Sequence, residues 1–473
     1  YLVLPMYSAL PPHLQARVFQ KTPMTHRKIV IATNIAETSL TIPNIVYVID
    51  CGKVKRKFFD PFTGVDIFEV VNISKSEAWQ RSGRAGRDGP GHALRLYTER
   101  EFESFADDMQ PEILRSNLGN VILQLKVLGI KDIASFDLID KPDALRIRQA
   151  LLHLLLLGAI DENHDITQLG KEMSSFPLEP MYSKALAMSH THPEYQCTSE
   201  IVGIVSMLSV DNVFHLPSTT GNAQLQAYNE HKQFGDTLGD HITLLNVLES
   251  FVENKNSEEW CKQRFLNYKS LVKAFGIRHQ LLQMFDPDLL LQQRKQRADH
   301  VSGYDPIIKC LLEGLFLNVA YLGKDHNKKF PSNKNDKDNN NRASYQTYIN
   351  HLGCDIHPSS VLFHRKPKPA CILYNAMIKT KKMEGIGEDK IWLRECVEIP
   401  HIQWLDDIIP NLANKFRINQ PQQSQSQTQT QISHSNTSKE KENNKKNNTS
   451  QTQTKKFKKT NKITSQSMEA MCG

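Results

Sequence analysis

Twelve residues, Gln80-Arg81-Ser82-Gly83-Arg84-Ala85-Gly86-Arg87-Asp88-Gly89-Pro90-Gly91, constrain this chain more tightly than any other stretch. Three arginines recur at every third position, and the glycines between them let the backbone come close to a ligand. Arginine presents a planar fork of donors to phosphate oxygens and keeps its charge. Placed at a transferring phosphoryl group, it stabilises the charge of the transition state. Gly/Arg-rich stretches also occur in disordered RNA-binding tails. This one is short and unrepeated, and the apolar runs Ile67–Val71 and Ala93–Tyr97 flank it, which places it inside a fold.

A second signal lies upstream. Lys28-Ile29-Val30-Ile31-Ala32 is a short β-branched run of the kind that forms a buried parallel strand. The hydroxyl- and amide-rich segment Thr33-Asn34-Ile35-Ala36-Glu37-Thr38-Ser39-Leu40-Thr41-Ile42 follows it, and the strand-like Ile45–Asp50 comes next. Open α/β sheets bind ligands where such segments leave the carboxyl ends of strands. Ser39 and Thr41 are two apart, so in an extended stretch their hydroxyls face one way, toward successive backbone phosphates or sugars. Turn and cap chemistry is the alternative use of such residues.

Composition sets outer limits. A chain of 473 residues suits several domains, and 39% apolar with 23% charged residues is ordinary for one that buries a core. The richest apolar run, Ala150–Leu157, is too short to cross a bilayer, so no membrane partner is expected. Eight cysteines, none in a CxxC pair, point to reduced thiols and to no metal site. The net charge is +7, but beyond Arg417 nine lysines face three glutamates, leaving the body close to neutral. Any case for nucleic-acid binding rests on local groups.

The two segments together resemble motifs V and VI of the DEAH-box RNA helicases of superfamily 2. Met6-Tyr7-Ser8-Ala9-Leu10-Pro11, Arg95-Leu96-Tyr97-Thr98, Pro111–Leu118, Gly239–Val247, Trp260-Cys261 and Ile356–Leu362 extend the resemblance through nearly all of residues 1–410. The resemblance implies a multidomain α/β, α and β fold. Its parts are a second RecA-like lobe over 1–110 (motifs IV to VI), a winged helix over 111–178, a helical ratchet over 179–325 and an OB-like β-barrel over 326–416. Within the lobe, Lys53–Phe59 and Val65–Val71 read as a β-hairpin, either an edge strand blunted with lysine or the long hairpin this family sets beside the 5′ part of the RNA path. Lys328–Arg342 reads as a low-complexity insertion. The Gln/Asn/Lys-rich 417–473 is expected to be a disordered tail, with Lys455–Lys459 as an address or RNA tether.

The Gly-Lys-Ser/Thr loop and the Asp-Glu-Ala-His string of the family's first lobe occur nowhere in the chain. It is therefore expected to be the C-terminal part of a longer ATP-dependent helicase, inactive alone, with Mg2+ held through the missing lobe. A non-catalytic RNA-binding or adaptor protein is the alternative. Residue by residue, the resemblance makes Gln80, Arg84 and Arg87 nucleotide-contacting groups of the catalytic site, with the two arginines aimed at the γ-phosphate of ATP or another NTP. It makes Arg81 a packing residue and Phe19 the aromatic that stacks on the base. Ser39 and Thr41, with Ser8 as a weaker candidate, become RNA contacts. Many relatives place an aspartate after the TSLTI stretch to bond the ribose; here Pro43 stands there, which puts that bond in doubt. Single-stranded RNA or RNP and a G-patch-type or other activating protein are the implied partners. The implied location is the nucleus or nucleolus, with the cytoplasm left open, and the wording is most similar to the ribosome-biogenesis branch.

Overall fold

The computed structural model describes residues 1–8, 10, 12–38, 40–60, 65–217, 221–299, 303–323, 344–380 and 390–408. Strand β1 (Leu2–Met6) and strand β2 (Lys28–Ala32) pair in parallel, and α1 (Pro12–Ala16) with the 3-10 turn Arg17–Phe19 connects them. Leu4, Met6 and Val18 close the inner face with Leu40 and Ile42. Burial of β2 on both faces, as its apolar run leads one to expect, does not hold. Ile29 is 40% and Ile31 65% exposed, because β2 is bonded to β1 alone and no described residue covers the outer face.

Strand β3 (Tyr47–Asp50) leads into the hairpin of β4 (Lys53–Asp60) and β5 (Val65–Asn72), whose turn residues 61–64 lie outside the described set. Helix α2 (Lys75–Ser82), strand β6 (His92–Arg95) and helix α3 (Glu99–Glu103) complete an α/β lobe in which β6 runs parallel to β3. Helix α2 starts on a capping box in which the Ser74 hydroxyl accepts from Glu77 N–H and the Glu77 carboxylate accepts from Ser74 N–H. The same carboxylate takes the Arg56 guanidinium of β4, so one acid pins the helix start to the hairpin. Burial alone would raise the Glu77 pKa, but the Arg56 and Ser74 bonds outweigh it and lower it.

Helices α4 (Gly119–Val127), α5 (Ala144–Leu156) and α6 (Gln168–Ser175) follow, with a bridge between Ile160 and Ile166 closing the polar-tipped wing. Ile147, Ala150 and Leu154 of α5 recur on one helical face and enter a core with Leu123 and Met173. A helical bundle continues with α7 (Pro180–Thr191), α8 (Thr198–Leu208), α9 (Asn222–Lys232), α10 (Asp240–Glu253), α11 (Glu258–Gln263), α12 (Tyr268–Leu282), α13 (Pro287–Asp299) and α14 (Asp305–Leu315).

Strands β7 (Val319–Leu322), β8 (Tyr345–Thr347), β9 (Gly353–Ile356), β10 (Cys371–Thr380) and β11 (Lys390–Glu398) precede a last helix, α15 (Gln403–Ile408). Their pairing order β7-β8-β9-β11-β10, with β10 returning to β7, closes a five-stranded barrel. Strand β5 pairs in parallel with β10, so the hairpin continues the barrel sheet and leaves β4 as its edge, with Lys53, Lys55 and Lys57 exposed. The apolar run Ser360–His364 reads as a strand but forms consecutive turns, with Phe363 N–H donating to Ser360 O and Arg365 N–H to Leu362 O. The Pro358-Ser359-Ser360 start favours that turn chemistry over a ladder.

The bundle is locked to the barrel through the start of α10. The Asp240 carboxylate accepts the N–H of Val361 at 2.8 Å and of Cys396 at 2.7 Å. Gly239 sits at φ +141°, and a Cβ there would run into Cys396 O and Val397 Cα. Asp240→Ala strands two N–H donors of the barrel, at about 1–3 kcal/mol each, and is expected to lower the urea midpoint accordingly. Burial lifts the Asp240 pKa from 3.8 to about 6 against the bonds from Ser360, Val361 and Cys396. Its contribution is then complete at low pH and declines as the pH rises through 6, so the alanine deficit should be larger at pH 5 than at pH 8. Equal deficits at the two pH values would contradict this account of Asp240.

Candidate nucleotide site and nucleic-acid interface

The arginine segment is wound by the end of α2. Gly83 N–H donates to Trp79 O, Arg84 N–H to Arg81 O and Ala85 N–H to Ser82 O, so helical turns carry the chain past the last residue of the helix. Gly91 closes the segment where only glycine fits, since a Cβ would meet Ala85 O and Val46 O. A Cβ at Gly86 or Gly89 would meet nothing within 4 Å, so the backbone there is open to an approaching group.

The three arginines have three different environments. Arg81 donates from Nε to Glu37 at 2.9 Å and from Nη1 to Asp50 at 2.9 Å, and its side chain is 14% exposed against 9% and 2% for the two acids. Burial works to lower its pKa, and the bonds to Glu37 and Asp50 more than reverse that and raise it. Tyr97 donates its hydroxyl to the other Asp50 oxygen at 3.1 Å, and burial with the Asp50 charge lifts its pKa to about 12. Arg81 thus ties α2 to β3 and to the hydroxyl-rich segment, which suits a packing residue.

Arg84 meets only the Leu40 carbonyl, at 3.4 Å, and its shielded Nε has no partner among the described residues. Burial first and the Arg87 charge second lower its pKa, while Glu37 pulls the other way. An arginine remains charged under those conditions. Arg87 donates to the Thr41 hydroxyl. Asp88 accepts the N–H of Asn44, which sits at φ +61°, so the turn opened by Pro43 closes onto the arginine segment.

The structure therefore brings Arg84, Arg87 and Thr41 into one cluster, while Ser39 lies outside the described residues. Gln80 is exposed on α2, and its side chain forms no hydrogen bond among the described residues. Phe19 is 38% exposed and outside the buried core. Ser8 is exposed, and its carbonyl, with those of Tyr7 and Leu10, accepts from Gln15 Nε2. Phe19 and Ser8 form no hydrogen bond with the arginine cluster. Sequence reasoning passed over Glu37, Asp50 and Asp88. A lone acid inside a hydroxyl-rich segment, and another closing a β-branched strand, are the signals that point to them.

Comparison with known proteins places these elements. The Helicase conserved C-terminal domain matches residues 1–89, the winged-helix part of the helicase associated domain (HA2) 150–178, its ratchet-like part 179–244, and the oligonucleotide/oligosaccharide-binding (OB)-fold 307–412. The ATP-dependent RNA helicase DHX33 of Homo sapiens is 39% identical over 412 residues, 86% of this chain and 53% of that protein. The chain belongs to the DEAH-box helicase family. The probable ATP-dependent RNA helicase DHX35 of Homo sapiens is 36% identical over 89% of this chain and 56% of its own length. The pre-mRNA-splicing factor ATP-dependent RNA helicase prp22 of Schizosaccharomyces pombe is also 36% identical, over 89% of this chain and 33% of its own length. The chain thus spans about half the length of the DHX33 and DHX35 helicases it matches. Among the described residues no helix is long and apolar enough to cross a membrane, and no group of three or more His, Cys, Asp or Glu could hold a metal ion.

Proposed function

We propose that the chain supplies the C-terminal half of an ATP-dependent RNA helicase that translocates on single-stranded RNA and remodels RNA or RNP. One observation carries this reading: the arginine segment rests on Leu40 and Thr41 of the hydroxyl-rich segment, through Arg84 and Arg87. A group suited to phosphate and a group suited to a nucleic-acid backbone share one contact, so a change at either is felt by the other. Arg84 and Arg87, with Gln80, are the groups that would meet the outer phosphate of ATP or another NTP. The unpaired Arg84 Nε and the open backbone at Gly86 fit such a ligand. Phe19 has an exposed face to offer a base. Mg2+ belongs to acidic ligands outside the described residues. Thr41, Ser39 and Ser8 would hold RNA through its backbone, and the domain limits at 110, 178, 325 and 416 are part of this reading. A nuclear or nucleolar place, a role in ribosome biogenesis and an activating partner of the G-patch type extend it.

Backbone contacts carry no base information and release counterions. The purified chain is therefore expected to bind unrelated single-stranded RNAs with similar affinity, with a steep loss as salt rises, and to show no appreciable ATP turnover. Ser39→Ala with Thr41→Ala should weaken all of these RNAs alike in filter binding. A selective loss for one sequence would mean base readout, and absence of RNA binding by the chain would leave the helicase reading without support from this half.

A further inference from the structure

Behind the hairpin lies a cavity of about 690 Å3, walled by β4, the segment Glu112–Val121, α5, the start of α7, the end of α14 and β10. Its volume falls inside the range of small-molecule sites, roughly 300–1,000 Å3. Three cations from separate parts of the chain, Lys57, Arg115 and Arg146, line it together with two acids, Glu112 and Glu179. The arginines are the unusual feature. Several partly buried arginines elsewhere find carboxylates: Arg56 with Glu77, Arg81 with Glu37 and Asp50, Arg264 with Glu230 and Arg365 with Glu398. Here they do not.

Arg146 donates only to main-chain oxygens, to Ser116 at 3.4 Å and to Phe59 at 3.2 Å, so its charge meets no counter-charge through those bonds. The Arg115 side chain forms neither an ion pair nor a hydrogen bond among the described residues, and its Nε is shielded from solvent. A shielded Nε–H without an acceptor is costly unless an anion completes it. The Gln149 amide also lines the cavity without a hydrogen bond among the described residues, and the half-buried Phe59 ring forms part of the wall. A phosphate acceptor, a free amide for a base edge and an aromatic face are the three chemistries a nucleotide uses.

We propose that this cavity binds one phosphorylated nucleotide unit, its phosphate on Arg115 and Arg146 and its base near Gln149 and Phe59. The site is separate from the arginine segment of α2 and from Thr41, so it stands whether or not those residues hold ATP and RNA. A free mononucleotide and the 5′-phosphorylated end of a strand share this chemistry, and the test distinguishes them.

The purified chain is titrated calorimetrically with uridine and adenosine 5′-monophosphates, and with a hexauridylate carrying either a 5′-phosphate or a 5′-hydroxyl. The expected result is a phosphate-dependent binding component, absent with the 5′-hydroxyl hexamer, that weakens at least tenfold in Arg115→Met, with an unchanged melting temperature because the Arg115 side chain has no bond to lose. Gln149→Leu should weaken it less. Binding of the monophosphates supports a free ligand, and binding of the phosphorylated hexamer alone supports a strand end. The proposal is overturned if neither class binds, if the 5′-hydroxyl hexamer binds as well as the phosphorylated one while the monophosphates fail, or if Arg115→Met and Gln149→Leu both bind as the parent does. Arg146→Met is a weaker probe, since its bonds to Ser116 and Phe59 also hold the wall.

Discussion

In the helicase proposed above, Arg84→Ala or Arg87→Ala is expected to reduce ATP turnover by about a hundredfold or more. Losing one pre-aimed charge stabiliser in a water-poor site costs about 3 kcal/mol of the transition state. Neither side chain is held in an ion pair that the loss would break. Arg84 touches one carbonyl and Arg87 one hydroxyl, so both substitutions should leave the fold intact. Steady-state turnover and thermal melting, measured together, check this. Arg87→Ala also releases Thr41, so it should alter RNA-stimulated turnover more than Arg84→Ala does. Near-normal turnover in both variants would remove the arginines from the nucleotide site.

Arg81→Ala, three residues earlier in the same motif, is expected to act on the fold. Its guanidinium bridges Glu37 and Asp50, the latter 2% exposed, and removing one partner of a buried ion pair leaves an uncompensated charge worth about 3–5 kcal/mol. Amide exchange in β3 and β6 should accelerate by about a hundredfold or more, since Asp50 closes β3 and β6 is bonded to it. Arg81→Lys keeps the charge but not the fork that reaches two acids, so it should recover only part of the loss. Unchanged exchange in Arg81→Ala would show that the lobe does not depend on this network, and the contrast with Arg84 and Arg87 would fail.

Much of this architecture is legible along the chain. β-branched and alternating runs mark β2, β4, β5 and β10, and the spacing of Ile147, Ala150 and Leu154 marks one buried helix face. Local patterns of that kind need no partner to be recognised. The run Ser360–His364 was misleading for the same reason: it forms turns in which Leu362 is buried and Val361 exposed, so apolarity alone did not report a ladder.

By itself the sequence determined the kind of chemistry present. Arg84 and Arg87 beside glycines read as phosphate-binding groups, and the hydroxyls of Ser39 and Thr41 read as contacts for a nucleic-acid backbone. It also determined the succession of lobe, winged helix, bundle and barrel. The resemblance already set Arg81 apart as a packing residue, but what stands opposite each of the three arginines was decided only by the tertiary structure. Glu37 and Asp50 lie 44 and 31 residues from Arg81, and Thr41 lies 46 from Arg87. The same holds for the cavity behind the hairpin, whose unpaired arginines come from segments 31 residues apart. No local pattern can report which arginine side chains a wall leaves without an ion pair, since that depends on how distant segments pack.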